Sequence, residues 1–132
     1  MDTGVLISAF AFDGIPEKAV KKAFAEGELC VSPAILTEYR NVPIELEAKG
    51  KLTHSQFKVL IAGIAAVVAT ARMVSPAKEI RLCRDPKDNM LLECCLEAGA
   101  NILISGDKDL LKMDEPGLDF KIVTPKEFVT GT

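Results

Sequence analysis

Four acidic residues stand where a chain of alternating strands and helices would gather them. Asp2 precedes "TGVLISAF", Glu38 lies in "VSPAILTEYR", Asp88 in "DPKDNMLL", and Asp107 follows "NILISG". Open α/β sheets bind ligands beyond the carboxyl ends of their strands, so these acids, from four separate segments, point at one edge. Carboxylates a few ångströms apart repel unless one is protonated or a cation lies between them. With no lysine-rich pocket evident, the pattern fits a hard divalent cation with oxygen ligands, Mg²⁺ or Mn²⁺. Such an ion activates water and stabilises charge on a phosphodiester under in-line attack.

Taken singly, each acid also has a structural reading. Glu38 suits a solvated helix face, and Asp88 suits a helix N-terminus through the dipole. Asp107 and Asp109 suit turns or caps, and Asp85 fits an N-cap so well that it is assigned to structure. Two other chemistries fail on spacing. Aspartic proteases present an Asp-Thr-Gly, but here "VLISAF" continues as helix, no second Asp-[Ser/Thr]-Gly occurs, and the chain is not all-β. Haloacid-dehalogenase-like phosphohydrolases need Asp-x-Asp after a first strand, and the residue two beyond Asp2 is Gly4.

The elements that must position the acids follow from periodicity and caps. Residues 16–26 carry Ala19, Val20, Ala23 and Phe24 at helical spacing. Leu29 to Val31 reads as a short strand, and Ser32 with Pro33 opens a helix. A long helix is predicted over 54–72 and a short strand over 72–75. Asp85 and Pro86 open the next helix, whose Leu91, Cys94, Cys95 and Ala98 form an inward stripe that Gly99 ends. "NILIS" (101–105) suits a buried parallel strand, "GDKDLLKM" a short helix, and "FKIVTP" (120–125) a last strand. This order predicts a three-layer α/β/α fold with a mainly parallel central sheet, built as a single domain over 1–132.

Bulk properties narrow the chemistry. The 132 residues are 48% hydrophobic and carry a formal charge of −3, so no broad field attracts nucleic acid and a metal would have to supply positive charge. Cys30, Cys83, Cys94 and Cys95 show no C-x-x-C spacing and read as reduced core thiols of a cytosolic protein. His54 is the lone histidine, in "LTHSQ", and reads as surface or cap, which argues against histidine triads and zinc. The longest apolar run, "VLIAGIAAVVATA" (59–71), falls short of the roughly 18 residues of a membrane span. With no signal-peptide pattern, a cytoplasmic protein is expected.

The segments "DTGVLISAF", "VSPAILTEYRNV", "RDPKDNMLLECCLEAGANILISGDKDLL" and "KIVTPKEFV" follow one another as in PIN-domain proteins. The chain resembles this family over essentially its whole length, most nearly the VapC-like toxins of prokaryotic toxin–antitoxin pairs. The third segment is the most specific, because it sets D-P-x-D-N, a helix, a strand and S-G-D-K-D-L-L in order. The resemblance implies a Mg²⁺- or Mn²⁺-dependent endoribonuclease in which Asp2, Glu38, Asp88 and Asp107 serve as metal ligands and catalytic acids. It implies that Ser105 matches the hydroxyl residue beside the fourth acid, where it is expected to contact substrate. Lys108, Arg40, Lys87 and Arg84 flank the acids and are expected to hold phosphates nearby, Lys108 and Arg40 foremost. An RNA substrate, 5′-phosphate and 3′-hydroxyl product ends, a cognate antitoxin and a homodimer follow from the same resemblance.

Two departures qualify the match. Gly4 stands where the family pattern D-T-N has asparagine, removing an amide that would hold a neighbouring acid or water. Relatives carry an apolar strand before the first aspartate, whereas only Met1 precedes Asp2. The first strand is therefore expected to be missing or truncated, with metal affinity reduced. The alternative reading is a catalytically degenerate PIN-like module that binds RNA or protein.

Overall fold

Cap chemistry sets most element boundaries in the computed structural model, which describes residues 1–12, 14–113 and 117–131. Helix α1 (Thr3–Ala11) starts on Asp2, whose side chain accepts from the Gly4 amide, and α2 spans Ile15–Glu26. Strand β1 (Cys30–Val31) leads through Ser32, whose Oγ accepts from the Ile35 amide, into α3 (Pro33–Ala48). Helix α4 (His54–Thr70) opens on a reciprocal Thr53–Gln56 capping box. The chain continues through β2 (Arg72–Met73), α5 (Pro86–Ala98), β3 (Ile102–Ile104), α6 (Lys108–Leu111), β4 (Lys121–Val123) and α7 (Pro125–Thr130). Asp85 caps α5, and Gly99, at φ +65°, ends it in the left-handed conformation that glycine adopts without a Cβ clash.

The strands pair in parallel, as expected, and the fold is α/β. They do so as two separate pairs: β1 with β2, in register Cys30 to Arg72, and β3 with β4, in register Ile102 to Lys121. A continuous central sheet is not formed among the described residues. The reason is visible in the main chain. The Leu29 and Val31 carbonyls accept from Arg72 and Val74, so by the alternation of a strand the peptide groups of Cys30 face away from β2. The Asn101 carbonyl and Ser105 amide bond to the β4 side, so those of Ile102 face away from β4. Between Cys30 and Ile102 lies a cavity of about 440 Å³, and a smaller one of about 60 Å³ reaches Met1 and Cys94. Two contacts cross this gap at one end: the Asp2 amide donates to the Ile104 carbonyl at 3.0 Å, and the Tyr39 hydroxyl donates to the Met1 carbonyl.

The core lies where α1 meets its neighbours, with Leu6, Val20, Tyr39, Leu60, Leu92, Leu103 and Leu110 buried together. Gly63 lets the α1 and α4 helices approach: a Cβ there would stand 2.5 Å from Phe10 Cγ. Cys94 and Cys95 are buried and Cys30 and Cys83 half-buried, all as free thiols. Burial pushes the Cys94 thiol up, and that of Cys95 to about 11. Among the described residues no helix is long and apolar enough to cross a membrane.

Several expectations need correction. The helix predicted to 72 ends at Thr70, and the strand over 72–75 keeps only Arg72–Met73. Phe24, read as inward, is 40% exposed, because α2 packs through Ala19, Val20 and Ala23. The last strand stops at Val123, where Thr124 and Glu127 form a capping box that starts α7.

Candidate functional site

Each acid is placed by the element that carries it. Asp2 sits at the N-cap of α1, where Oδ1 accepts from the Gly4 amide at 3.3 Å and Oδ2 from the Ser105 hydroxyl at 2.6 Å. Ser105 follows β3, is fully buried, and its Oγ also accepts from the Asp107 amide at 3.0 Å. Asp107 caps α6, its Oδ1 accepting from the Asp109 amide at 2.8 Å. Asp88 lies in the first turn of α5 and is 5% exposed. Glu38 projects from α3, half-buried, with Lys87 Nζ 3.2 Å from its Oε1.

Folding brings the four predicted acids to one pocket. A cavity of about 120 Å³ is lined by Asp2, Glu38, Asp88 and Asp107, together with Asp85, Lys87 and a few apolar side chains. The negative charge there is incompletely matched. Burial, then the charges of Asp107, Asp85 and Asp2, push the Asp88 carboxyl from 3.8 up to about 6. The Cys83 thiol is also raised, first by burial and then by the charges of Asp88 and Asp107.

The flanking groups divide differently. Arg84 pairs with Asp109 at 3.2 Å. Arg40 and Lys108 are exposed and do not line the acid pocket. Ser105 lies under the acids as a brace between Asp2 and Asp107. His54 is on the surface, 2.9 Å from Glu47.

A family model for PIN domains matches residues 1–109. The chain belongs to the PIN-domain family. PIN domains are generally nucleases, and these generally use divalent metal ions. The chain is similar to an uncharacterized protein of Methanocaldococcus jannaschii, 30% identical over 138 residues, which cover 98% of this chain and 87% of that relative. No solved structure matches it.

For this PIN domain, the carboxylate oxygens that line the pocket are the donor type a hard divalent ion takes, and burial, then the neighbouring charges, raise Asp88. In the arrangement seen, no three His, Cys, Asp or Glu side chains among the described residues are grouped so as to hold an ion. Glu38 is engaged by Lys87, and Asp2 and Asp107 by hydrogen-bond donors.

The sequence reading gave no role to Asn89, although it lies in the D-P-K-D-N run. Its side chain clasps the loop before α5, accepting from the Cys83 amide at 2.9 Å and donating to the Cys83 carbonyl at 3.3 Å. The signal was the Asp-Asn pair itself: the acid faces the pocket while the amide holds the entering loop.

Proposed function

We propose that this PIN domain is an endoribonuclease that hydrolyses RNA phosphodiester bonds with Mg²⁺ or Mn²⁺, and that it is the toxin of a toxin–antitoxin pair. The observation that carries the nuclease reading is the convergence of Asp2, Glu38, Asp88 and Asp107 on one cavity with Asp88 pushed toward its neutral form. A divalent ion bound there would supply charge neutralisation and an activated water. Asp2, Glu38, Asp88 and Asp107 would hold it. Ser105 fixes Asp2 and the Asp107 main chain, so two of the acids move as one unit. Arg40 and Lys108, outside the pocket, would meet the polyanion beyond the cut site. Attack of water on the phosphorus with departure of the 3′-oxygen, which takes up a proton, would leave 5′-phosphate and 3′-hydroxyl ends.

The toxin role is supported by the ordered resemblance of the four sequence segments. On this reading a cognate antitoxin covers the acidic pocket, the protein works in the cytoplasm, and two copies associate. Residues 1–132 are proposed as one domain, with the two strand pairs as halves of a three-layer α/β/α arrangement.

A second reading, a module that binds RNA or protein without cutting, is favoured by the engagement of Glu38, Asp2 and Asp107 with groups of the chain itself. Cleavage of a labelled, partly single-stranded RNA in Mn²⁺ separates the two. The native chain is expected to cut, and Asp107→Asn, which keeps shape but removes a ligand charge, is expected to stop. RNA binding with no Mn²⁺-dependent cutting would establish the binding module.

A further inference from the structure

Lys87 is the one cationic side chain among the described residues that line the acid pocket. Its place is unfavourable by local rules. It lies in the first turn of α5, where the positive end of the helix dipole repels a cation and favours the flanking Asp85 and Asp88. Its side chain instead reaches α3, placing Nζ 3.2 Å from Glu38 Oε1. The two partners differ in freedom: the Lys87 side chain is 57% exposed and that of Glu38 only 20%. One member of the pair is thus anchored in the pocket wall, and the other can leave for water at small cost.

From this geometry we infer that Lys87 is a displaceable counter-ion, holding Glu38 until a divalent ion takes the carboxylate and drives the ammonium out of the pocket. The inference rests on the metal reading above. A lysine ammonium is charged across the physiological range, and 3.2 Å from Glu38 Oε1 it competes with any other cation for that carboxylate. A divalent ion on the same carboxylate would lie a few ångströms from Nζ, where repulsion between +2 and +1 exceeds the attraction of a single half-exposed ion pair. The neighbouring cation gives no substitute, because Arg84 is turned to Asp109.

Two measurements on the full chain test this. Calorimetric titration with Mn²⁺ at fixed ionic strength compares native protein with Lys87→Met, which keeps the aliphatic stem, and Lys87→Arg, which keeps the charge. Lys87→Met is expected to bind Mn²⁺ about three- to tenfold more tightly, and Lys87→Arg no more tightly than native. In parallel, proton cross-relaxation between the Lys87 ε-methylene and the Glu38 γ-methylene is followed during Mg²⁺ titration, and it should fade as the site fills. Binding by the native chain with unchanged or weaker affinity in Lys87→Met, or cross-relaxation that persists at saturation, overturns the displacement and makes Lys87 a fixed brace. Absence of Mn²⁺ binding in native and variant alike overturns the metal reading itself.

Discussion

Ser105 donates its hydroxyl hydrogen to Asp2 Oδ2 across 2.6 Å, joining the two ends of the acid pocket over 103 positions of sequence. The same oxygen accepts from the Asp107 amide, so one buried hydroxyl sets the distance between the first and fourth acids. A hydrogen bond to a charged group contributes roughly 1.5–3 kcal/mol. Ser105→Ala is therefore expected to lower unfolding free energy by about 1–3 kcal/mol in urea titration. It is also expected to weaken Mn²⁺ binding, because Asp2 loses its orientation. Unchanged binding alongside lost stability would confine Ser105 to folding.

Asp88 makes an opposite forecast for stability. Its carboxyl is raised to about 6 in the folded chain, chiefly by burial. Between about pH 4 and pH 6 the folded state keeps a proton that the unfolded chain has released, so this group lowers stability as pH rises through that window. Above it the full penalty applies. Asp88→Asn is expected to raise stability at pH 7 by at most about 3 kcal/mol and to lose that gain below about pH 4. It should at the same time abolish stabilisation by Mn²⁺. Thermal unfolding across pH, with and without the ion, reads both effects.

Gly63 tests the packing of α1 on α4. Alanine is favoured over glycine in a helix by about 1 kcal/mol, but the new methyl would meet the body of the Phe10 ring at 2.5 Å. Overpacking of this kind costs roughly 1–3 kcal/mol, so Gly63→Ala is expected to be destabilising by up to about 2 kcal/mol. With Phe10→Ala already in place the sign should reverse and the alanine should stabilise. A double-mutant cycle by urea denaturation measures the coupling.

Much of the element order was legible because its chemistry is local. Asp85, Pro86 and Gly99 write the ends of α5 within a few residues of where they act, and Ser32 with Pro33 does the same for α3. Helix α7 carries an equally local signal, Thr124 with Glu127, which overlaps the end of the apolar run 120–125 and stops the strand there. Phe24 misled because periodicity marks a stripe without saying how wide a neighbour will cover it.

The acids of the pocket were legible as a set, since strand ends and helix starts fix where each falls. Their partners were not. Nothing near Lys87 in sequence says that it will cross to Glu38, or that Ser105 will turn its hydroxyl toward Asp2 rather than toward the pocket. Such pairings depend on the angle at which α3, α5 and β3 meet, which is settled by tertiary packing of residues such as Ile35, Leu91 and Leu103 rather than by local sequence.

The space between the two strand pairs runs under this pocket like a seam. Glu38 follows β1 on one bank, and Asp107 follows β3 on the other. Met1 and Asp2 act as a rivet between them, held by Tyr39 from one side and by Ile104 and Ser105 from the other. Among the described residues, the main-chain bond that joins the Glu38 side to the Asp107 side there comes from this dipeptide rather than from a ladder shared by the two strand pairs. Whatever tightens or loosens that rivet resets the bite of Glu38 and Asp107 without touching the side chain of either.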